Sequence, residues 1–214
     1  NGCSPAAKIP ALVAKGHKPN ADWRGHKADI FEGGHRVPFL VRWPSRVKAG
    51  TSNPQTICTA DLFATVADVI GKSTAIPSNA AEDSFSFLPA LLGQAAAKRR
   101  PFTIPHPING SFAIRRGKWK LTLCPGSGGW SAPKPAAAKK NKSLPPVQLY
   151  DLNSDPTEQN NLQAKHPKLV QDLVATLARA IKNGRTTPGP IQPNEGHPNT
   201  FSQSVLAVFP SLGR

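Results

Sequence analysis

The sequence predicts an α/β chain in two blocks, and three observations carry that reading. The apolar run VPFLVRW (37–43), ended by Pro44, has the composition of a buried strand. TADLFATVADVIG (59–71) has helical spacing, so the first block, about 1–95, alternates strand, loop and helix. SFAIRRGKWKLTL (111–123), VQLYDL (147–152) and HPKLVQDLVATLARAIKNG (166–184) then read as hairpin, strand and helix. The second block, about 96–184, is therefore expected to be a small antiparallel sheet packed by one helix, with an irregular tail over 185–214.

The elements follow in chain order. PAAKIPALVAK (5–15) has weak helical character, with Pro10 against it. Residues 16–27 read as a polar loop bearing glycine and proline. In 59–71, Thr59 can cap the helix and Leu62, Val66, Val69 and Ile70 share one face. Gly71 stands where a left-handed terminal residue belongs. DSFSFLPALLGQ (83–94) is a short apolar segment that breaks at Gly93. In 111–123, Phe112 and Ile114 alternate on one side of Arg116-Gly117, and Trp119, Leu121 and Leu123 on the other, which is a hairpin pattern. PGSGGWSAPKPAAAKKNKSLPP (125–146) has no core pattern and reads as a linker. In 166–184, Pro167 suits the first turn, Leu169, Val170, Leu173, Leu177 and Ile181 form the stripe, and Gly184 closes it.

Twenty-three prolines and 17 glycines in 214 residues imply many turns. No stretch approaches the roughly 18 apolar residues of a membrane-crossing helix. Lys8, Lys15 and Lys18 interrupt any leader-like run near the start, and the first residue is Asn. Lys and Arg number 27 against 12 Asp and Glu, a net charge of +15, and such a surface attracts anions such as acidic or sulfated polymers. Part of that charge lies in KPAAAKKNK (134–142), whose four lysines lack periodicity and suit a mobile linker. The sequence holds no aromatic-interleaved basic strand and no GXXG between helices, so it gives no signature for nucleic acid. Cys3, Cys58 and Cys124 are widely spaced without C-x-x-C, which leaves no zinc or redox-pair pattern; one bridge stays open.

The densest polar cluster is RGHKADIFEGGHRVP (24–38). It carries Arg24, His26, Lys27, Asp29, Glu32, His35 and Arg36. Gly33-Gly34 permit close backbone approach or a positive φ. Loops at the end of a sheet strand are frequent ligand sites in α/β folds. Glu32 and Arg36 are expected to hold the loop by pairing with each other or with backbone. Lys27 is the residue expected to act on a ligand.

Six segments together, NGCSPAAK, GHKADIFEGGHRVPFLVRWP, TADLFATVADVIG, EDSFSFLPALLG, INGSFAIRRGKWKL and LYDLNSDPTEQNNL, occur in the order found in the C-terminal part of type I sulfatases. The most specific are G-x-K-x-x-x-x-E-G-G-x-R-V-P (25–38) and L-Y-D-L-x-x-D-P-x-E-x-x-N-L (149–162). Over about residues 1–184 the chain resembles the arylsulfatases of that family, particularly bacterial ones. The resemblance implies the C-terminal part of an alkaline-phosphatase-like α/β sandwich followed by the small sheet.

It also implies site residues. Asn1 matches a metal-ligating asparagine whose aspartate neighbour in the family's D-N-G is missing here, and its amide oxygen can serve calcium. Lys27 matches a lysine that contacts the sulfate ester. Relatives often carry a histidine pair before this segment; here the pattern is His106-Pro107, which makes His106 a further candidate. His26 and His35 are substrate-contact candidates. The family's nucleophile is a formylglycine made at C-x-P-S-R, a motif absent here. Cys3-Ser4-Pro5-Ala6 has Ala7 in place of the arginine, so Cys3 is read as a structural or free thiol. The expectation is a fragment inactive alone, from a periplasmic or secreted parent acting on sulfate esters, including sulfated polysaccharide. The alternative is a non-enzymatic basic module that binds anionic polysaccharide.

Overall fold

The computed structural model describes residues 1–94, 100–194 and 203–213. Two compact units are each built from discontinuous stretches. One comprises Asn1–Pro38, Ile104–Leu177 and His197–Arg214; the other comprises Phe39–Thr103 and Ala178–Gly196.

The first unit begins with helix α1 (Ile9–Ala14). Pro10 falls in its first turn, where a missing N–H costs no helical bond. Helix α2 is a single turn, Glu32–His35. The predicted hairpin is present: β1 (Ala113–Arg116) pairs antiparallel with β2 (Trp119–Thr122), with Ile114 opposite Leu121. Gly117 takes φ +59°, the left-handed backbone that a two-residue turn assigns to glycine. β3 (Gln148–Asp151) pairs with β2, giving the order β1-β2-β3. Ile30, Phe31, Ala113, Cys124, Tyr150 and Leu152 form a core cluster around this sheet.

The predicted linker 125–146 is instead ordered and partly buried. Ala138 is buried in α5 (Pro135–Lys140). Residues 126–129 are buried as well. Their order comes from a distant bond and a local one: Ser127 O accepts from Ile30 N at 2.8 Å, and Ser127 N donates to Pro133 O within the segment at 3.0 Å.

Helix α6 (Pro167–Asn183) buries Val170, Leu173 and Leu177 of its predicted stripe, leaves Leu169 and Ile181 half-buried, and buries Val174 as well. Arg116 on β1 pairs with Asp172, and Trp119 lies against His166, ring centroids 5.1 Å apart.

VPFLVRW, which lies in the second unit from Phe39 onward, is not a strand. Residues 37–43 have no strand backbone, and Leu40 is 91% exposed. A strand requires a hydrogen-bonding neighbour, and no strand among the described residues lies beside this run. Helix α3 (Asp61–Val69) starts two residues after Thr59 and has no side-chain cap at Ala60; Gly71 is left-handed at φ +67°. Its buried residues are Asp61, Ala64 and Thr65, while Leu62, Phe63, Val66 and Val69 are exposed. Asp61 binds Arg100 through both carboxylate oxygens, at 3.0 and 2.5 Å, and accepts from Phe85 N at 2.9 Å. Helix α4 (Leu88–Leu91) completes this unit's short helices.

Candidate functional site

The segment 24–38 wraps into a tight hub because its glycines allow it. A Cβ on Gly33 would sit 2.4 Å from the Gly25 carbonyl oxygen, and one on Gly34 would sit 2.1 Å from that of Asp29. Close approach, not a positive φ, explains this pair. The first residues join the same hub: Gly2 N donates to Gly34 O at 2.9 Å, and Lys27 N to Cys3 O at 3.0 Å.

These constraints gather Asn1, Lys27, His35 and His106 around one cavity of about 250 Å3, together with Asp29 and Trp130. Four of the five residues singled out in the sequence therefore share a cavity. His26 does not line it. Its ring contacts the Lys27 carbonyl at 3.0 Å and Ser131 Oγ at 3.2 Å, which anchors the loop.

Asp29 lies at the wall but its oxygens are engaged. Oδ1 accepts from Trp130 N at 2.7 Å and Ser131 N at 3.0 Å; Oδ2 accepts from His26 N at 2.8 Å and from Ser131 Oγ. Between Lys27 and Asp29, Ala28 takes φ +83°, a strained backbone for a side chain with a Cβ. Its carbonyl accepts from Ile108 N at 2.9 Å, which brings the 106–108 segment to the cavity. Among the described residues, no carboxylate pairs with the Lys27 ammonium.

His106 Nδ1 lies 3.2 Å from the Ser111 carbonyl, so Nδ1–H donates there and Nε2 is left as an acceptor in the neutral ring. The residue is exposed overall, yet its ring meets Phe112 edge-on at 4.3 Å. The desolvation it does feel lowers the imidazole below its ordinary range.

Behind the cavity lies a charged cluster that the sequence pattern concealed. Lys120 on β2 is 0% exposed, with Nζ 3.0 Å from Glu32 Oε1 and 2.8 Å from Glu158 Oε1. Arg115 reaches Glu32 Oε2 at 3.0 Å, whereas the expected partner Arg36 stands at 3.5 Å. Glu158 Oε2 accepts from Glu32 N at 2.6 Å and so caps the turn of α2. Glu158 itself has φ +54°, and Arg24 holds its carbonyl at 2.6 Å.

His35 Nε2 contacts Glu32 Oε1 at 3.3 Å and Lys120 Nζ at 3.4 Å; its Nδ1 is buried without a partner among the described residues. Burial first, then Lys120, lowers the His35 pKa, so the ring is neutral at neutral pH. Burial pushes the Glu32 carboxyl up, but Lys120, His35 and Arg115 outweigh it and hold it well below the carboxylate range. Burial raises Glu158 despite Lys120. The cluster thus fixes a neutral His35, and Lys27 stands at the cavity with no carboxylate partner among the described residues.

The motif LYDLNSDPTEQNNL acts as support for this cluster. Asp155 accepts from Gln159 N and Asn160 N at 3.1 and 2.7 Å, and Asn161 Oδ1 accepts from Leu149 N at 2.9 Å. These bonds hold Glu158 against α2. The donors present do not make a calcium site. Asn1 offers one amide oxygen against the roughly six to eight that calcium takes, Asp29 is already engaged, and no cluster of three acidic, His or Cys residues among the described residues could hold a metal. Cys3, Cys58 and Cys124 are free thiols.

No family model matches the chain. It is 34% identical over 170 residues to N-acetylgalactosamine-6-O-sulfatase of Bacteroides thetaiotaomicron, covering 78% of this chain and 31% of that protein. It is 32% identical over 184 residues to human arylsulfatase A, covering 79% and 35%. A solved Bacteroides thetaiotaomicron structure, described under metabolism of multiple glycosaminoglycans, superposes with TM-score 0.65 at 31% identity, over 78% of this chain and 33% of that one. Ps i-CgsB in complex with k-i-k-neocarrahexaose has TM-score 0.58 at 22% identity, over 84% and 36%, which is a likeness of fold. The chain spans about a third of the length of the curated relatives it matches.

Proposed function

The chain belongs to the type I sulfatase family, and on that premise we propose that the Lys27 cavity is part of the sulfate-ester site of a longer sulfatase. The observation that supports this most is the convergence of Lys27, His35, His106 and Asn1, from three separate stretches, on one cavity. At about 250 Å3 it lies below the roughly 300–1,000 Å3 of drug-sized ligand sites, a size that suits one ester group and the edge of a sugar.

Each residue has a part that its surroundings permit. The Lys27 ammonium, without a carboxylate partner among the described residues, neutralises charge on the sulfuryl oxygens and on the oxygen that leaves. Neutral His106 orients a substrate hydroxyl through Nε2. Neutral His35 shapes the cavity without adding a second charge. Hydrolysis in this family requires a formylglycine nucleophile and calcium, which residues outside these 214 would supply beside Asn1. The chain, taken as the C-terminal part of the catalytic domain and the small sheet, lacks turnover alone. Its parent is exported, and the described residues include no helix long and apolar enough to cross a membrane.

The test is to express the complete reading frame and to measure sulfate release from 4-nitrophenyl sulfate and from N-acetylgalactosamine 6-sulfate. Release from either is expected. A complete protein that releases sulfate from no ester would overturn the proposal.

A further inference from the structure

A second cavity, of about 530 Å3, is built chiefly by the supposed linker. Gly126, Ala138, Lys139, Asn141 and Lys142 line it from that segment, and Asn109 closes it from the other side. Among the described residues the lining contains two lysines, two amides and no carboxylate, and the chain has no acidic residue between 125 and 150. Pro146 and Leu144 give it apolar faces. Burial pushes the Cys124 thiol up to about 11, so that wall is neutral.

The two cavities adjoin. Pro107 and Ile108 line the first and Asn109 the second; Trp130 lines the first and Gly128 the second. The partition is stitched by Asn109 N donating to Gly128 O at 3.2 Å, and it is close-packed, since a Cβ on Gly128 would meet Pro107 at 2.5 Å. We propose that the second cavity is a saccharide subsite that takes a negatively charged sugar next to the one whose ester lies at Lys27. This rests on the sulfate-ester reading of the first cavity. Lys139 and Lys142 meet the sugar's anionic group, the Nδ2 groups of Asn109 and Asn141, whose Oδ1 atoms accept from Ser111 N and from Ser143, donate to hydroxyl oxygens, and Leu144 and Pro146 pack on the ring face. The net charge of +15 favours encounter with such a polymer.

The test is calorimetric binding of a heparin-derived hexasaccharide to the 214-residue chain at about 0.1 M salt, where screening acts over about 10 Å. Lys139→Ala/Lys142→Ala is expected to weaken binding about tenfold or more. The control pair Lys165→Ala/Lys168→Ala, exposed near the start of α6, is expected to change it less than about twofold. An unsulfated hyaluronan hexasaccharide, run beside it, tells whether a sulfate or a carboxylate is the anion taken. Equal losses in both lysine pairs, or no binding by the unaltered chain, would overturn the subsite. In the complete protein, the Lys139/Lys142 variant is expected to hydrolyse 4-nitrophenyl sulfate normally while releasing less sulfate from heparin. If the complete protein hydrolyses nothing but the lysine-dependent binding persists, the sulfatase reading fails and the saccharide site stands.

Discussion

Beneath the Lys27 cavity, charge lies inside: Lys120, Glu32 and Glu158 are each 0% exposed. Across α3 and the 39–41 run, the arrangement is inverted. Phe39, Leu40, Val41, Phe63 and Val66 are exposed, Val66 by 55%. Each region departs from the ordinary sorting of residues, for opposite reasons. The buried charges are tolerated because every ammonium and carboxylate meets an opposite charge or a backbone donor within 3.0 Å. These apolar residues stay 40–91% exposed among the described residues, although Phe39 meets the edge of Phe87 with ring centroids 5.5 Å apart, in a chain that spans about a third of its relatives' length. A buried charge therefore reports partners the chain already holds. An exposed apolar run reports a surface that other contacts could cover.

The largest predicted effect lies in the charged region. Lys120→Met leaves two buried carboxylates without their ammonium and is expected to cost about 3–5 kcal/mol in urea unfolding. A loss below about 1 kcal/mol would mean that the cluster is solvated in practice. For scale, Leu173→Ala in the buried stripe of α6 is expected to cost about 2–5 kcal/mol. On α3, Val66→Lys is expected to change stability by less than about 0.5 kcal/mol. The same change should reduce binding of a hydrophobic dye to the 214-residue chain. A cost like that of Leu173→Ala would show that α3 is covered after all.

The smallest effect is on pH dependence. The folded His35 pKa is lowered, so its contribution is fully present above the unfolded value of about 6.5. It is lost as pH falls from there toward the folded value. Glu32 behaves alike below about 4.3, while Glu158, whose pKa is raised, contributes with the opposite slope. Thermal unfolding from about pH 7.5 to 5.5 should show stability declining with acid, and His35→Gln should flatten that slope. An unchanged slope in the variant would remove His35 from the linkage.

What the sequence made legible was local. The hairpin at Gly117, the α6 stripe and the Gly33-Gly34 hub all rest on neighbours a few residues apart. The charged cluster was hidden because its bonds join residues 88 and 126 positions apart. Lys120 in particular sits at a strand position that alternation with Trp119 and Leu121 assigns to solvent. The 125–146 segment was hidden for the same reason, since the backbone of Trp130 and Ser131 is held by Asp29, about a hundred residues away. VPFLVRW shows the converse error: strand composition without a pairing neighbour gives no strand. Of the site, the motif 25–38 carried Lys27 and His35, while their meeting with His106 depended on the tertiary bond from Ile108 to Ala28.

The central claim is that Lys27 supplies the charge that holds the sulfate ester. Its most direct measurement is kcat/KM for 4-nitrophenyl sulfate in the complete protein, comparing Lys27→Ala with the unaltered enzyme and with Lys165→Ala as a surface control. A fall of about a hundredfold or more for Lys27→Ala alone is predicted. Equal activity in all three would contradict the assignment of this cavity.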